Sequence, residues 1–203
     1  MPTMPTMPTM PTMPTMPTVQ SHPTADHDAV EYRTLRDTIR ERGTRRLILF
    51  WATFAVWAAL LTATAVTGAD PLVTLARLVL LAAGFEAVYA LHVGVERIGR
   101  YLQVFHEHPD EGPAWEHAAM AYGSGPTTAR LDPLFTGLFG LAAVLNLAPS
   151  LPAVRPIPTG IVVLAHLVFV VRVVAARRYA TRQRGEDLER FTQVRAGLRA
   201  GGA

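Results

Sequence analysis

Four groups of side chains in this sequence have the types and spacing to carry chemistry. The first is Glu86, a carboxylate inside the apolar run PLVTLARLVLLAAGFEAVYALHVGV. A carboxylate within a membrane span costs ~2.5 kcal/mol or more, so it needs a partner or a neutralising proton. Arg172 is the partner the sequence offers. Glu86 stands fifteen residues after Pro71, and Arg172 fifteen residues after Ile157. If both runs cross in the same direction, the two side chains reach similar depth and can join their helices. The competing reading is that Glu86 takes up and releases a proton, with His166 in LAHLVFVV as relay. A lone histidine at such a site more often hydrogen-bonds a neighbouring helix.

The second group is a polar stripe. At roughly 100° per residue, Tyr89, His92, Glu96, Arg100, Gln103 and Glu107 fall within about 80° of one helix face, with Glu86 just off its edge. Such a stripe suits a proton or cation path leading to Glu86. The simpler reading is a solvated face beyond the bilayer, in which Glu96 and Arg100 form an ordinary i,i+4 pair. Ala83, Ala87, Ala90 and Gly94 form a separate stripe of small residues that lets two backbones approach closely.

The third group is a candidate metal site: His106, His108, His117 and Glu116, with Glu107, Asp110, Glu111, His92 and Glu96 nearby. Imidazoles and carboxylates bind zinc, iron and other divalent cations. The spacing argues against it, because adjacent Glu116 and His117 diverge by roughly 100° on a helix. No His-Glu-x-x-His is present, and a solvated loop is the simpler account. The fourth group is Arg77 and Asn146. Arg77 lies six residues after Pro71 and is expected to snorkel outward to meet Asp70. Asn146 is expected to make an interhelical hydrogen bond.

Much else is missing. There is no cysteine, which excludes disulfides and thiolate chemistry. All nineteen basic residues are arginine, so there is neither a P-loop lysine nor a Schiff-base lysine. No G-x-S-x-G elbow occurs. No motif requires a cofactor or points to an enzyme.

These groups must be positioned by apolar helices. Half of the 203 residues are hydrophobic and 17% are charged, and the apolar residues come in blocks, which marks an integral membrane protein. The expected fold is all-α, with four transmembrane helices and short amphipathic cytoplasmic helices at both ends. The spans are read at 47–67, 72–92, 131–151 and 157–176, within a membrane domain of residues 46–176. Residues 96–130 form a cytoplasmic loop, and the second helix runs on through residue 108 until Pro109 stops it. Trp51 suits an interfacial anchor and Trp57 packs on a neighbour. In the loop, Trp115 and Tyr122 suit a short helix resting at the interface.

Residues 1–25 are read as a disordered tail, opening with six copies of Met-Pro-Thr. The repeat lacks the basic start and apolar middle of a signal peptide, and a repeat expansion or a wrongly chosen upstream start is expected rather than a proline-rich ligand arm. Residues 26–45 read as an amphipathic helix with a break at Gly43. Residues 177–203 read as an arginine-rich tail, interrupted at Gly185, whose Leu188, Phe191, Val194 and Leu198 share one face. That face is expected to pack on the Ala29-to-Ile39 face of the first helix, the alternative being that it lies on the anionic inner leaflet.

Orientation follows from arginine. The pI near 9.8 imitates a nucleic-acid binder, but the arginines flank spans without interleaved aromatics, so no nucleic-acid partner is expected. They gather before the first span, after the second and after the fourth, which puts both termini in the cytoplasm and the chain in the cell's inner (cytoplasmic) membrane. The expected partners are membrane lipid and either another protein or a second copy. The expected role is a non-enzymatic accessory or scaffold subunit. The alternative is a small proton- or cation-handling, or metal-binding, protein centred on Glu86, Arg172, His166, His92 and Glu96.

Overall fold

The structure, a computed structural model, describes residues 23–65, 70–107, 115–123, 133–151 and 156–201. Among these residues the regular elements are all helical: α1 (Pro23–Ala65), α2 (Pro71–Phe105), α3 (Trp115–Gly123), α4 (Pro133–Leu147) with a 3-10 turn (Ala148–Ser150), and α5 (Pro156–Gly201). The Met-Pro-Thr repeat, His108, Leu131 and the side chain of Tyr122 lie outside the described residues.

α1, α2 and α5 are each long and apolar enough to cross a membrane, and α4 is a shorter apolar helix. At about 1.5 Å per residue the three long helices extend roughly 50–70 Å, well beyond a ~30 Å hydrocarbon core. The expected breaks at Gly43 and Gly185 are absent, and both glycines are helical. A glycine inside a helix costs about 1 kcal/mol relative to alanine, and neighbouring contacts readily offset that. The ion pairs Asp37–Arg40 and Glu41–Arg45 run along the helix beside Gly43. Around Gly185, Arg184 and Asp187 both bind α2.

α2 starts where the sequence stops being free to turn. Asp70 caps it, accepting from the Leu72 amide at 2.7 Å, and Pro71 supplies a first residue with no amide to satisfy. It ends at Phe105 rather than running to residue 108. The amides of His106 and Glu107 both turn back to the Leu102 carbonyl, at 2.9 and 3.1 Å. That closure leaves the Glu107 side chain directed at the next helix.

The helices pack around α2, which touches α1, α3, α4 and α5. Phe139 of α4 is fully buried against Phe50, Phe54 and Phe85, with ring centroids 5.0–5.9 Å away. α1 and α2 approach so closely at Gly84 that a Cβ there would collide with the Thr53 side chain. On the outside, Leu164, Leu167, Val168 and Val171 of α5 and Val56 and Leu60 of α1 are exposed. An apolar exterior over these lengths is what a bilayer solvates and water does not.

The packing partners of the two terminal segments differ from expectation. Each packs on the extension of α2 rather than on the other. Tyr32 of α1 meets His106, and Phe191 of α5 meets Tyr101 and Phe105. α2 outruns its apolar part by enough turns to lie between them, so it takes both faces.

Candidate functional site

Two polar assemblies are built on this frame, one at each end of the apolar bundle. The first lies near Asp70 and joins four helices. Asn146 of α4 is fully buried. Its Nδ2 donates to the Thr74 carbonyl and to His166 Nε2, each at 3.0 Å, and its Oδ1 accepts from Trp57 Nε1 at 3.4 Å. His166 Nδ1 donates to the Val162 carbonyl at 2.7 Å. These partners assign the neutral Nδ1–H tautomer and occupy both ring nitrogens. The Thr74 and Ser150 hydroxyls lie 3.0 Å apart.

Arg77 completes this cluster. It does not snorkel to Asp70. It is 3% exposed and its guanidinium binds the hydroxyls of Thr64 and Thr74. The physical reason is rotational. Thr74 and Arg77 share the α2 face that Leu78 and Leu81 also occupy, and that face points into the bundle, where hydroxyls on α1 and α2 receive the donor groups. The sequence carried a signal for this cluster. Trp57 and Thr64, Thr74 and Arg77, and Asn146 and Ser150 stand seven, three and four residues apart, so each pair lies on one helix face.

Glu86 and Arg172 meet. Arg172 Nη2 donates to Glu86 Oε2 at 2.7 Å, and the guanidinium lies 5.2 Å from the Tyr89 ring centroid. The pair is not interior, since the side chains are 48% and 37% exposed. His166 is bound elsewhere, to Asn146 and Val162, so the structure does not bring it to Glu86.

The second assembly is the extension of the polar stripe, and it is not a solvated face. Arg100 is 5% exposed and Glu107 is 7% exposed. Both are covered because α1, α3 and α5 all reach this far along α2. Glu96 takes its strongest partner from α5: Arg184 Nε donates to Oε2 at 2.9 Å, and Arg184 Nη2 binds Oε1. His92 lies between Arg46 Nη1, 3.0 Å from its Nδ1, and Glu96 Oε1, 3.5 Å from its Nε2. Arg97 reaches Asp187 at 3.4 Å, and Arg195 Nη1 donates to the Val104 carbonyl at 2.5 Å.

Glu107 organises the base of this layer. Its carboxylate accepts from the backbone amides of Glu116 and His117 at 2.8 and 3.1 Å, which caps the N-terminus of α3 from a residue just beyond the end of α2. Arg36 of α1 reaches Glu116 at 2.7 Å and Glu107 at 3.5 Å. Burial, reinforced by the Glu107 charge, pushes the Glu116 carboxyl above its usual pKa against the pull of Arg36. Burial opposes the Arg36 charge, but the Tyr32 hydroxyl and the Glu116 carboxylate outweigh it and raise that pKa. Burial lowers the Arg100 pKa despite the Glu96 charge. Burial raises that of Tyr101, whose hydroxyl donates to Glu31 at 2.8 Å.

The metal candidates do not converge. His106 faces Glu31 at 3.9 Å, His117 faces Glu107 at 3.2 Å, and Glu116 is turned to Arg36. Among the described residues no group of three His, Cys, Asp or Glu side chains could hold a metal ion. In the sequence, Arg36, Arg97 and Arg184 carry only a topology signal. The carboxylate partners of these three lie about 70 to 90 residues away and leave no local pattern. No family model matches this chain, and neither does any curated protein or solved structure.

Proposed function

We propose that this chain is a four-span protein of the inner membrane with both termini in the cytoplasm, acting as a non-enzymatic accessory or scaffold subunit. α4 with its 3-10 turn extends about 28 Å, close to the ~30 Å hydrocarbon thickness, which supports a fourth span. Arginines cluster at the end of the bundle that holds Arg36, Arg46 and Arg184, which supports that end as cytoplasmic.

One observation carries the subunit reading. Glu86 and Arg172 form a half-exposed ion pair within apolar helices, on an α2 face that also carries Leu72, Ala76, Val79, Ala83 and Ala90. These residues are exposed and fall within about 80° of one another. An ion pair facing lipid is costly, whereas a second helix resting on the alanines would cover it. The face therefore suits a protein partner. The ion pair itself engages Glu86 with a fixed cation rather than with a proton path.

The chain has no native cysteine, so a single introduced one reports cleanly. A tagged Ala83→Cys variant, cross-linked in native membranes and analysed by mass spectrometry, should yield one defined adduct. Leu164→Cys, on the exposed apolar face of α5, should not. Equal behaviour at the two positions refutes the docking face. Glu86→Gln should weaken the Ala83 adduct while leaving the amount of protein unchanged.

A further inference from the structure

α5 carries an exposed stripe along the length of its apolar part. Ile157, Ile161, Leu164, Val168 and Val171 are 56–77% exposed, so their surface is free. At roughly 100° per residue they share one helix face. Ala175, Arg178, Tyr179 and Arg182 continue that face, the whole stripe lying within about 100° of arc. These last four residues line one open hollow. From Pro156 to Ala176 the helix rises about 32 Å, close to the ~30 Å hydrocarbon thickness. Arg178 stands just beyond Ala176, and Arg182 one turn further. The hollow therefore lies at the headgroup level of a bilayer, where tyrosine also belongs, and the stripe lies at the level of the acyl chains.

Place and company set these two arginines apart. Arg172, Arg184 and Arg190 of the same helix each have a carboxylate within 4.0 Å. Among the described residues Arg178 and Arg182 have none, and both are exposed. Arg33 and Arg199 share that lack but stand well beyond the apolar runs, and Arg42 and Arg46 share it but are half-buried. Two guanidinium groups one turn apart on one face can hold one phosphate between them. The exposed Ile, Leu and Val surface continues directly below. A free phosphate would leave that surface unused. Branched side chains hold a second helix at a distance, and a parallel second copy would bring like charges together.

We propose that this face of α5 binds an anionic phospholipid, its phosphate on Arg178 and Arg182 and one acyl chain along Val171, Val168 and Leu164. Ala175 to Leu164 covers about 16 Å, the depth of one leaflet's hydrocarbon. The inference rests on the reading that these helices cross a membrane, and not on the docking face around Ala83. It holds for either orientation of the bundle.

The absence of native cysteine supplies the test. A Val171→Cys variant of the full chain, labelled with bimane and reconstituted in vesicles, reads the lipid beside the stripe. Lipids brominated in their acyl chains quench that label on contact. Phosphatidylglycerol should be preferred there over phosphatidylcholine by about fivefold per arginine. Arg178→Gln and Arg182→Gln should each lose about that factor, and the double variant should bring the two lipids to near-equal quenching at the parent's helix content. Arg199→Gln removes an equal charge from the same helix, roughly 25 Å further along and beyond a Debye length of about 10 Å, and should leave the preference unchanged. Excess inorganic phosphate should not compete. Alkaline extraction checks insertion separately. A chain released by alkali fails the membrane reading, whereas a retained chain quenched equally by both lipids fails the lipid site alone. A preference that survives the double substitution, an equal loss in Arg199→Gln, competition by phosphate, or a label shielded from both lipids by protein would also overturn the proposal.

Discussion

Replacing Asn146 with leucine tests whether the polar cluster near Asp70 holds the four helices together. Leucine keeps the volume but removes the donor to His166 Nε2, the donor to the Thr74 carbonyl and the acceptor for Trp57. The Thr74 carbonyl lies inside α2 and keeps its helical partner, so its loss is small. The 3.4 Å contact to Trp57 is at the weak end of the range for a hydrogen bond. His166 decides the magnitude. Its Nε2 becomes a buried acceptor with no donor, and such a group costs ~1–3 kcal/mol. Hydrogen bonds between membrane helices average ~0.6 kcal/mol and reach ~1.7. Together these give a destabilisation of about 2 kcal/mol, a shift of roughly 30-fold in the folding equilibrium. The assay is reversible unfolding in mixed micelles, followed by helix content. The double variant Asn146→Leu, His166→Leu should recover most of the loss, because removing both partners leaves no orphaned acceptor. A cost below about 0.5 kcal/mol for Asn146→Leu, or a double variant as unstable as the summed singles, refutes the reasoning.

Other perturbations follow from the same geometry. Gly84→Ala should destabilise by ~1–3 kcal/mol in the same assay, since the new methyl meets Thr53. Adding Thr53→Ala should rescue it only in part, because the Thr53 Cβ itself lies 2.8 Å from the added atom; full rescue would show that α1 and α2 are further apart. Glu107→Gln should cost ~1 kcal/mol and speed hydrogen exchange at the amides of Glu116 and His117, since an amide oxygen replaces only one of two accepting oxygens. Unchanged exchange there would refute the Glu107 cap on α3. The raised Glu116 pKa gives a pH signature. A carboxyl whose folded pKa exceeds its unfolded value binds its proton more tightly when folded, so acidification favours folding through that group. Its contribution is unfavourable above the folded pKa, and that cost is relieved as pH falls toward the ordinary carboxylate value. Glu116→Gln should therefore lose more stability than the parent as pH falls into the ordinary carboxylate range, and parallel pH profiles would contradict the burial of this carboxyl.

Hydropathy marked apolar runs that include three helices long and apolar enough to cross a membrane, because the need to bury or solvate twenty consecutive side chains is a local property. Asp70-Pro71 likewise marked the start of α2, since capping and a fixed proline φ act within one turn. Equal depth along two helices was enough to bring Glu86 and Arg172 together on paper, because the rise per residue is constant. Local signals failed where a neighbour made the difference. Gly43 and Gly185 read as breaks, yet α1 and α5 continue through them, with Arg184 and Asp187 beside Gly185 bound to α2. Arg77 read as a snorkelling side chain until Thr64 and Thr74 gave it interior partners.

The sequence by itself determined a helical chain with several apolar runs of membrane length, because hydropathy and helical period are properties of one segment. Only the tertiary structure decided that Arg100 and Glu107 are buried, that Glu107 caps α3, and that both terminal segments lie on α2. Those outcomes depend on the rotational phase and axial offset between helices. Phase and offset are set by non-local contacts such as Gly84 against Thr53 and Phe139 among three other rings, and periodicity within one helix contains neither.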